Sequence, residues 1–494
     1  MANDPPRALG RGPGGVPRGT APAHEDAAAT PEITLSVLSG PGAGGEFTFT
    51  ERTACVVGRA AECRLRLPRD DARAARHHCL LDISPPDIRI RDLGAPHGTL
   101  VNGEEIGRPG DRPGVRCAER DLADGDEVRL GATLLRVGIR APGPAAPAGR
   151  CAHCAPAGGP AADRRPGDVM CPDCRSRPLS VLRGLLARAA GDDALAALRG
   201  YEVVRELGRG ALGAVYLARH RGTGERVALK LLAARTAVGP RARARFLAEA
   251  ERLRGVRHWN ILGLHAAAAH GAAFCLVGEY AAGGTLQDLL AARGGTLPPG
   301  EAVAVAVRVL DALAHAHTAP RGEDGAAVAH RDVKPSNILL TGGADDDAEG
   351  GAARGGAAEG TVPHAVGLGD FGIAAAFERA GLAGLPPAGD CGGSVAYLPR
   401  VHVVDRRGTG PEADVWATAA VLYRMLTGAV PREVPPGADP LAVLLREPVV
   451  PVRRRDPAVP RRLAQVIDAA LIDTPRIVTT SAGELRTALA AALR

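Results

Sequence analysis

His330-Arg331-Asp332-Val333-Lys334-Pro335-Ser336-Asn337, followed downstream by Asp370-Phe371-Gly372, is the stretch on which the reading of this chain turns. It sets a carboxylate, an ammonium and an amide close together, with a second carboxylate further on. Transfer of a phosphoryl group to a hydroxyl calls for that set. One side chain orients the attacking oxygen, cations neutralise the phosphates, and oxygen ligands hold Mg²⁺. Composition singles out the same places. Of 61 basic residues only two are lysines, Lys230 and Lys334. A compact ammonium on a flexible stem enters a phosphate site where a planar guanidinium fork does not fit. Asparagine is just as sparse: there are four, and Asn102 and Asn337 both fall inside motifs.

The chain has 494 residues, a length that suits about three domains. An apolar fraction of 45% is enough for packed cores. There is no run of about 18 apolar residues and no apolar leader segment, so neither a membrane span nor a secretory signal is expected. A cytoplasmic protein follows by default. A net charge of +6, scattered along the chain, does not imply nucleic-acid binding.

The two opening motifs resemble the catalytic loop (H-R-D-x-x-x-x-N) and metal-binding motif (D-F-G) of bacterial eukaryotic-type serine/threonine protein kinases. The likeness runs over 201–494 and implies the α+β bilobal kinase fold. Gly208, Gly210 and Gly213, with Val215 after them, match the glycine-rich flap. They lie between two expected strands, which suits a kinase flap better than a dinucleotide fold. The resemblance assigns Lys230 to the nucleotide phosphates and Glu249 as its ion-pair partner, with Glu251 as the fallback. Glu279 lies in the strand leading to the adenine hinge, and Gly278 takes the place of a usually bulky side chain, leaving a void behind the adenine. Asp332 is the expected base, Lys334 the γ-phosphate contact, and Asn337 and Asp370 the Mg²⁺ ligands for ATP. Asp414 is the expected structural anchor of the catalytic loop.

Three departures are visible. The stretch between Leu340 and Leu368 is a Gly/Ala/Asp/Glu insertion, expected to be a disordered surface loop. From Ile373 to Gly393 there is no Ser, Thr or Tyr. Arg331 is therefore expected to pair with Glu378 or Asp390, or a partner orders the loop, and activity is expected to be constitutive or partner-controlled. The family's Ala-Pro-Glu and its distant arginine are expected to be replaced by Val401 and Val478.

Short apolar runs punctuated by Gly, Pro and Asp over 32–140 indicate an all-β sandwich. The segment resembles a forkhead-associated (FHA) domain at Gly58-Arg59, Arg76-His77-His78, Asp92-Leu93-Gly94 and Gly98-Thr99-Leu100-Val101-Asn102-Gly103. The resemblance implies phosphothreonine peptides as partners, held by Arg59, Arg76, Thr99 and Asn102. Two hydroxyls and an amide of the family pattern are absent (Ala75, and Ala95-Pro96-His97). Each lost hydrogen bond to a charged group costs about 1.5–3 kcal/mol. A sandwich that serves only as a docking module is the alternative.

Residues 1–31 have the composition of a disordered tail, and 141–150 that of a linker. Over 151–176, Cys151, Cys154, Cys171 and Cys174 form two C-x₂-C pairs, the pattern of a zinc-ribbon-like structural Zn²⁺ site. Residues 177–200 are expected to form a connecting helix. The leading expectation is a serine/threonine protein kinase acting on protein substrates. The alternatives are a pseudokinase scaffold and a small-molecule phosphotransferase.

Overall fold

The computed structural model describes residues 31–40, 42–106, 119–140, 151, 153, 170–210, 213–234, 238–319, 328–341, 365–380, 382, 393–404, 409–436 and 438–494. The expected tail, the 141–150 linker, Cys154, the insertion over 342–364, Asp390 and the Glu378 side chain lie outside the described residues.

The first unit is a two-sheet sandwich. Its strands are β1 (Glu32–Ser39), β2 (Glu46–Phe49), β3 (Thr53–Gly58), β4 (Leu65–Arg66), β5 (Cys79–Ser84), β6 (Asp87–Asp92), β7 (Thr99–Val101), β8 (Glu104–Ile106), β9 (Glu119–Leu122), β10 (Glu127–Leu130) and β11 (Thr133–Arg140). They form sheets of order β2-β1-β11-β10-β7-β8 and β4-β3-β5-β6-β9. Alternation sets the register: Ile33, Leu35 and Val37 turn inward from β1, with Leu35 opposite Val137. A slip of one residue would carry all three to water.

The connector forms α1 (Pro172–Ser176), α2 (Pro178–Arg188) and a 3₁₀ turn over Asp193–Leu198. It is not free-standing. Val181, Leu182 and Leu185 share a core with Tyr216, Val227 and Leu229 of the next unit.

That unit has two lobes. The first is an antiparallel sheet of β12 (Tyr201–Gly210), β13 (Gly213–His220), β14 (Arg226–Ala233), β15 (Leu264–His270) and β16 (Ala273–Glu279), in the order β12-β13-β14-β16-β15, with α3 (Pro240–Arg254) packed against it. Gly213 has to be glycine, because a Cβ there would lie 1.8 Å from the Leu231 carbonyl oxygen.

The second lobe carries α4 (Leu286–Ala292), α5 (Pro299–Thr318), the hairpin β17 (Ile338–Thr341) and β18 (Ala365–Leu368), then α6 (Ile373–Arg379), α7 (Arg400–Val404), α8 (Glu412–Thr427), α9 (Pro440–Arg446), α10 (Val452–Arg455), α11 (Arg461–Ala470) and α12 (Ala482–Ala492). Its core lies between α5 and α8, around the fully buried Trp416, whose indole N–H donates to the Leu471 carbonyl at 3.0 Å.

The expected exchange of an ion pair for Val401 and Val478 is only half of what the structure holds. Val478 is 60% exposed. The end of the segment is tied instead by a buried pair of other residues. Arg432 and Asp473 meet at 2.8 Å, and Asp473 also accepts the Arg400 backbone N–H at 2.9 Å. The charge has moved rather than vanished: Arg432 Nη2 reaches both Asp473 oxygens and its Nε donates to the Glu447 carbonyl at 2.9 Å, so the buried charges are paired.

Candidate active site and neighbouring sites

The loop over 330–337 is held from the helix beneath it. Asp414, buried on α8, accepts from the backbone N–H groups of His330 and Arg331, each at 2.7 Å, and lies 2.9 Å from His317 Nε2. Burial alone would raise the Asp414 pKa. The His317 hydrogen bond and charge, with His330 behind them, outweigh it and hold the carboxyl below the usual range. Arg331 sits at φ +64° and Asp370 at φ +56°, left-handed backbone that side chains other than glycine rarely adopt. His330 closes the loop onto the neighbouring strand, with Nε2 2.9 Å from the Gly369 carbonyl.

Asp332, Lys334 and Asn337 converge. Lys334 Nζ lies 2.8 Å from Asp332 Oδ2, and Asn337 Nδ2 donates to the same oxygen at 3.0 Å and to the Asp332 carbonyl at 2.8 Å. Asp370 joins them through the backbone, since Gly369 N–H donates to the Asn337 carbonyl at 2.8 Å. From the other lobe, Lys230 forms an ion pair with Asp370. Burial pushes the Asp370 pKa up, but Lys230, His330 and Lys334 together bring it below the ordinary carboxylate value. Above this group hang Gly208 and Gly210, with Gly208 opposite Val215. Gly278 lies opposite Ala228 across the sheet, next to the exposed Glu279.

Glu249 does not meet Lys230. Its carboxylate is taken by Arg252 on the same helix and by Arg379 at the end of α6. Phe377 of α6 inserts beside Phe246 and Phe274, with ring centroids 5.2 and 5.3 Å away. The expected Lys230–Glu249 pair is therefore corrected: α6 packs against α3 and supplies the competing cation. The fallback Glu251 pairs with Arg254 at 2.7 Å.

In the sandwich, the loops carrying Arg59 and Arg76 are fastened together. Arg59 N–H donates to the Ala75 carbonyl at 3.1 Å, and Ala60 N–H to that of Arg76 at 3.0 Å. The Arg76 side chain is 72% exposed and 3.8 Å from Glu62. Thr99 and Asn102 are used internally. The buried Thr99 hydroxyl donates to Asp92 Oδ2 at 2.6 Å. Asn102 donates to Asp126 and accepts from Glu127 N–H, both at 2.8 Å. The expectation that Thr99 faces a peptide is corrected, because its hydroxyl is buried and taken up by Asp92; Asn102 stays exposed between the two turns it joins.

Cys151, Cys171 and Cys174 bring their sulfurs within 4.8 Å of one another. Zn–S bonds of about 2.3 Å in a tetrahedron put sulfurs roughly 3.8 Å apart, so the three fit one ion. His153 turns toward His270 instead, with ring centroids 5.8 Å apart.

The family model for the protein kinase domain matches residues 201–461, more than half of the chain. The chain belongs to the protein kinase family. The FHA domain model matches residues 55–131 of this kinase. Serine/threonine-protein kinase PknJ of Mycobacterium tuberculosis is 35% identical over 296 residues, 60% of this kinase and 45% of PknJ. Serine/threonine-protein kinase Pkn1 of Myxococcus xanthus is 33% identical over 295 residues, 59% of this kinase and 38% of Pkn1. The kinase thus spans less than half the length of these curated relatives. Among solved structures, Rad53 1–466 in complex with AMP-PNP matches over 92% of this kinase and 98% of that chain, at 18% identity and a TM-score of 0.43.

Arg379, Arg252 and His317 are the residues of the kinase site that motif reading passed over. A signal existed for the first. Ile373, Ala376, Phe377 and Ala380 recur at i, i+3, i+4 and i+7 and give the stretch after Gly372 a helical apolar face, and Arg379 flanks it.

Proposed function

We propose that this kinase transfers the γ-phosphoryl group of ATP to serine or threonine hydroxyls of protein substrates. The observation that carries the reading is the grouping of Lys230, Asp370, Asp332, Lys334 and Asn337 at the meeting of the two lobes. Asp332 orients the substrate hydroxyl and accepts its proton, and Lys334 offsets charge on the phosphoryl group in transfer. Lys230 holds the nucleotide phosphates beneath the backbone of Gly208, Gly210 and Gly213, with Val215 and Glu279 flanking the adenine. Asn337 and Asp370 would hold Mg²⁺, which supplies charge neutralisation between the phosphates. A lysine two residues after the catalytic aspartate is the serine/threonine pattern.

Arg59 and Arg76 are the side chains through which the FHA domain takes a phosphothreonine peptide. Cys151, Cys171 and Cys174, with Cys154 as the fourth ligand from sequence, would hold a structural Zn²⁺ that fixes the connector on the first lobe.

The test is Mg-ATP phosphorylation of the chain itself and of a generic basic protein. Asp332→Ala should lower the rate by about 10²–10⁴-fold. Equal incorporation by the variant would refute the assignment. The competing scaffold reading draws on one observation, Glu249 held by Arg379. It would be favoured if the native protein bound ATP and transferred nothing.

A further inference from the structure

Strands β3 and β5 carry unbroken apolar runs, Cys55-Val56-Val57 and Cys79-Leu80-Leu81. In a sandwich, one face of each strand packs inward and the other meets water, so alternate residues are normally polar. Cys55, Val57, Cys79 and Leu81 do line the sandwich interior. Val56 and Leu80 point the other way, yet they are 0% and 2% exposed. They are covered by the second kinase lobe, in one apolar cluster with Val395, Val403, Val404 and Leu444.

Polar contacts fix the fit at both ends of α9. At its start, Asp439 caps the helix through the N–H groups of Leu441 and Ala442, at 2.8 and 3.0 Å. Asp439 also lies 3.6 Å from Arg91 of β6, with both side chains at most 4% exposed. At its end, Arg446 donates to the Gly94 carbonyl at 3.0 Å. α9 in turn holds the segment that follows Asp370. Arg400, next to Val401 at the end of that segment, donates to the carbonyls of Leu444 and Glu447 at 3.1 and 2.6 Å. It opens α7, a helix of five residues. A helix so short does not hold itself in water and takes its shape from what packs on it.

We propose that the outer face of the β4-β3-β5-β6-β9 sheet is a clamp acting in cis on residues 395–404, a role of the FHA domain separate from peptide recognition at Arg59 and Arg76. Resting on the kinase reading for its activity readout, the clamp makes the sandwich a positioning part of the catalytic lobe.

The experiment uses the full chain. Leu80→Glu and Leu444→Glu place a charge in the shared cluster from either side, and Leu38→Glu makes the same change at an exposed position on the outer face of the other sheet. Amide hydrogen exchange is followed at 395–404, with kcat and KM for ATP measured on a generic basic protein. Both interface variants should exchange faster at 395–404 and lose kcat by roughly tenfold or more, with KM for ATP within about twofold. Leu38→Glu should match the native protein.

If the two interface variants fail to fold, Arg446→Ala, which leaves the apolar cluster whole, carries the test through exchange at the same residues. Native exchange at 395–404 in a folded interface variant overturns the clamp, and so does native kcat in a variant whose exchange has risen. A native chain that transfers no phosphate would sink the kinase reading, while the exchange result would still decide whether the clamp exists.

Discussion

In the second lobe, Asp332, Lys334 and Asn337 satisfy one another within a single loop, and Asp414 on the helix beneath holds that loop's backbone. In the first lobe, Lys230 and Glu249 are each held by some other residue, Asp370 in one case and Arg252 with Arg379 in the other. The first arrangement is set in advance: each of these side chains is bonded to a neighbour on the loop or to the backbone it carries. The second has two satisfiable states with the same groups. For Lys230 to meet Glu249, Arg379 must give up that carboxylate, and a shift of α6 that did so would draw Phe377 from beside Phe246 and Phe274. Exposing a buried phenylalanine costs about 1.5–3 kcal/mol, so α6 is a lock of a few kcal/mol. Locks of that size are readily opened by a ligand that prefers the other state. Chemistry is prepared on one side of the cleft and withheld on the other.

The largest effect should come from breaking the fixed side. Asp414→Asn leaves buried donors without their carboxylate and should lower stability by about 3–5 kcal/mol near neutral pH, read by urea unfolding. The Asp414 carboxyl is held below its ordinary value in the folded state. Its contribution is therefore complete above the unfolded value of about 3.9 and is lost as pH falls through the lower folded value. The gap between native and variant should close only in strong acid. A constant gap across that range would remove the electrostatic part of the explanation.

A middle-sized effect concerns room on the adjustable side. Gly278 and Ala228, two small residues, face each other across β14 and β16. ATP analogues with bulky N6 groups should be used by the native kinase and rejected about tenfold more strongly by Gly278→Met. A methionine there would have to ease past the Gly263 carbonyl oxygen, 3.2 Å from the new Cβ. Equal exclusion by both proteins would mean that no void exists. The smallest effect is the release of Glu249. Its pair with Arg379 is partly exposed and worth at most about 1 kcal/mol, so Arg379→Gln should raise kcat/KM for ATP roughly fivefold. A fall would show that Arg379 supports the active arrangement.

The catalytic loop was legible because its chemistry lies within one short stretch, and because lysine is so rare that each survivor marks a function. The sandwich was legible from period-two runs between turns. Glu249 was misread because its partner depends on how α6 sits, and two arginines share its carboxylate. Thr99 was misread because a motif names a residue without saying where its polar atoms point. The Arg432–Asp473 pair was invisible, since neither residue belongs to a motif. The runs at 55–57 and 79–81 did carry a signal of burial on both faces. The sequence could not say what covered the second face.

Two-faced burial on β3 and β5 has a practical side. Severing the chain anywhere between residues 140 and 201 leaves both products with a raw apolar surface: Val56 and Leu80 on one, Val403, Val404 and Leu444 on the other. Uncovered patches of that kind seek replacements among themselves, so such fragments should clump or pair in ways that say nothing about the intact molecule. Structural or biochemical work on either piece alone would describe a wound, and the intact polypeptide is the smallest unit worth purifying.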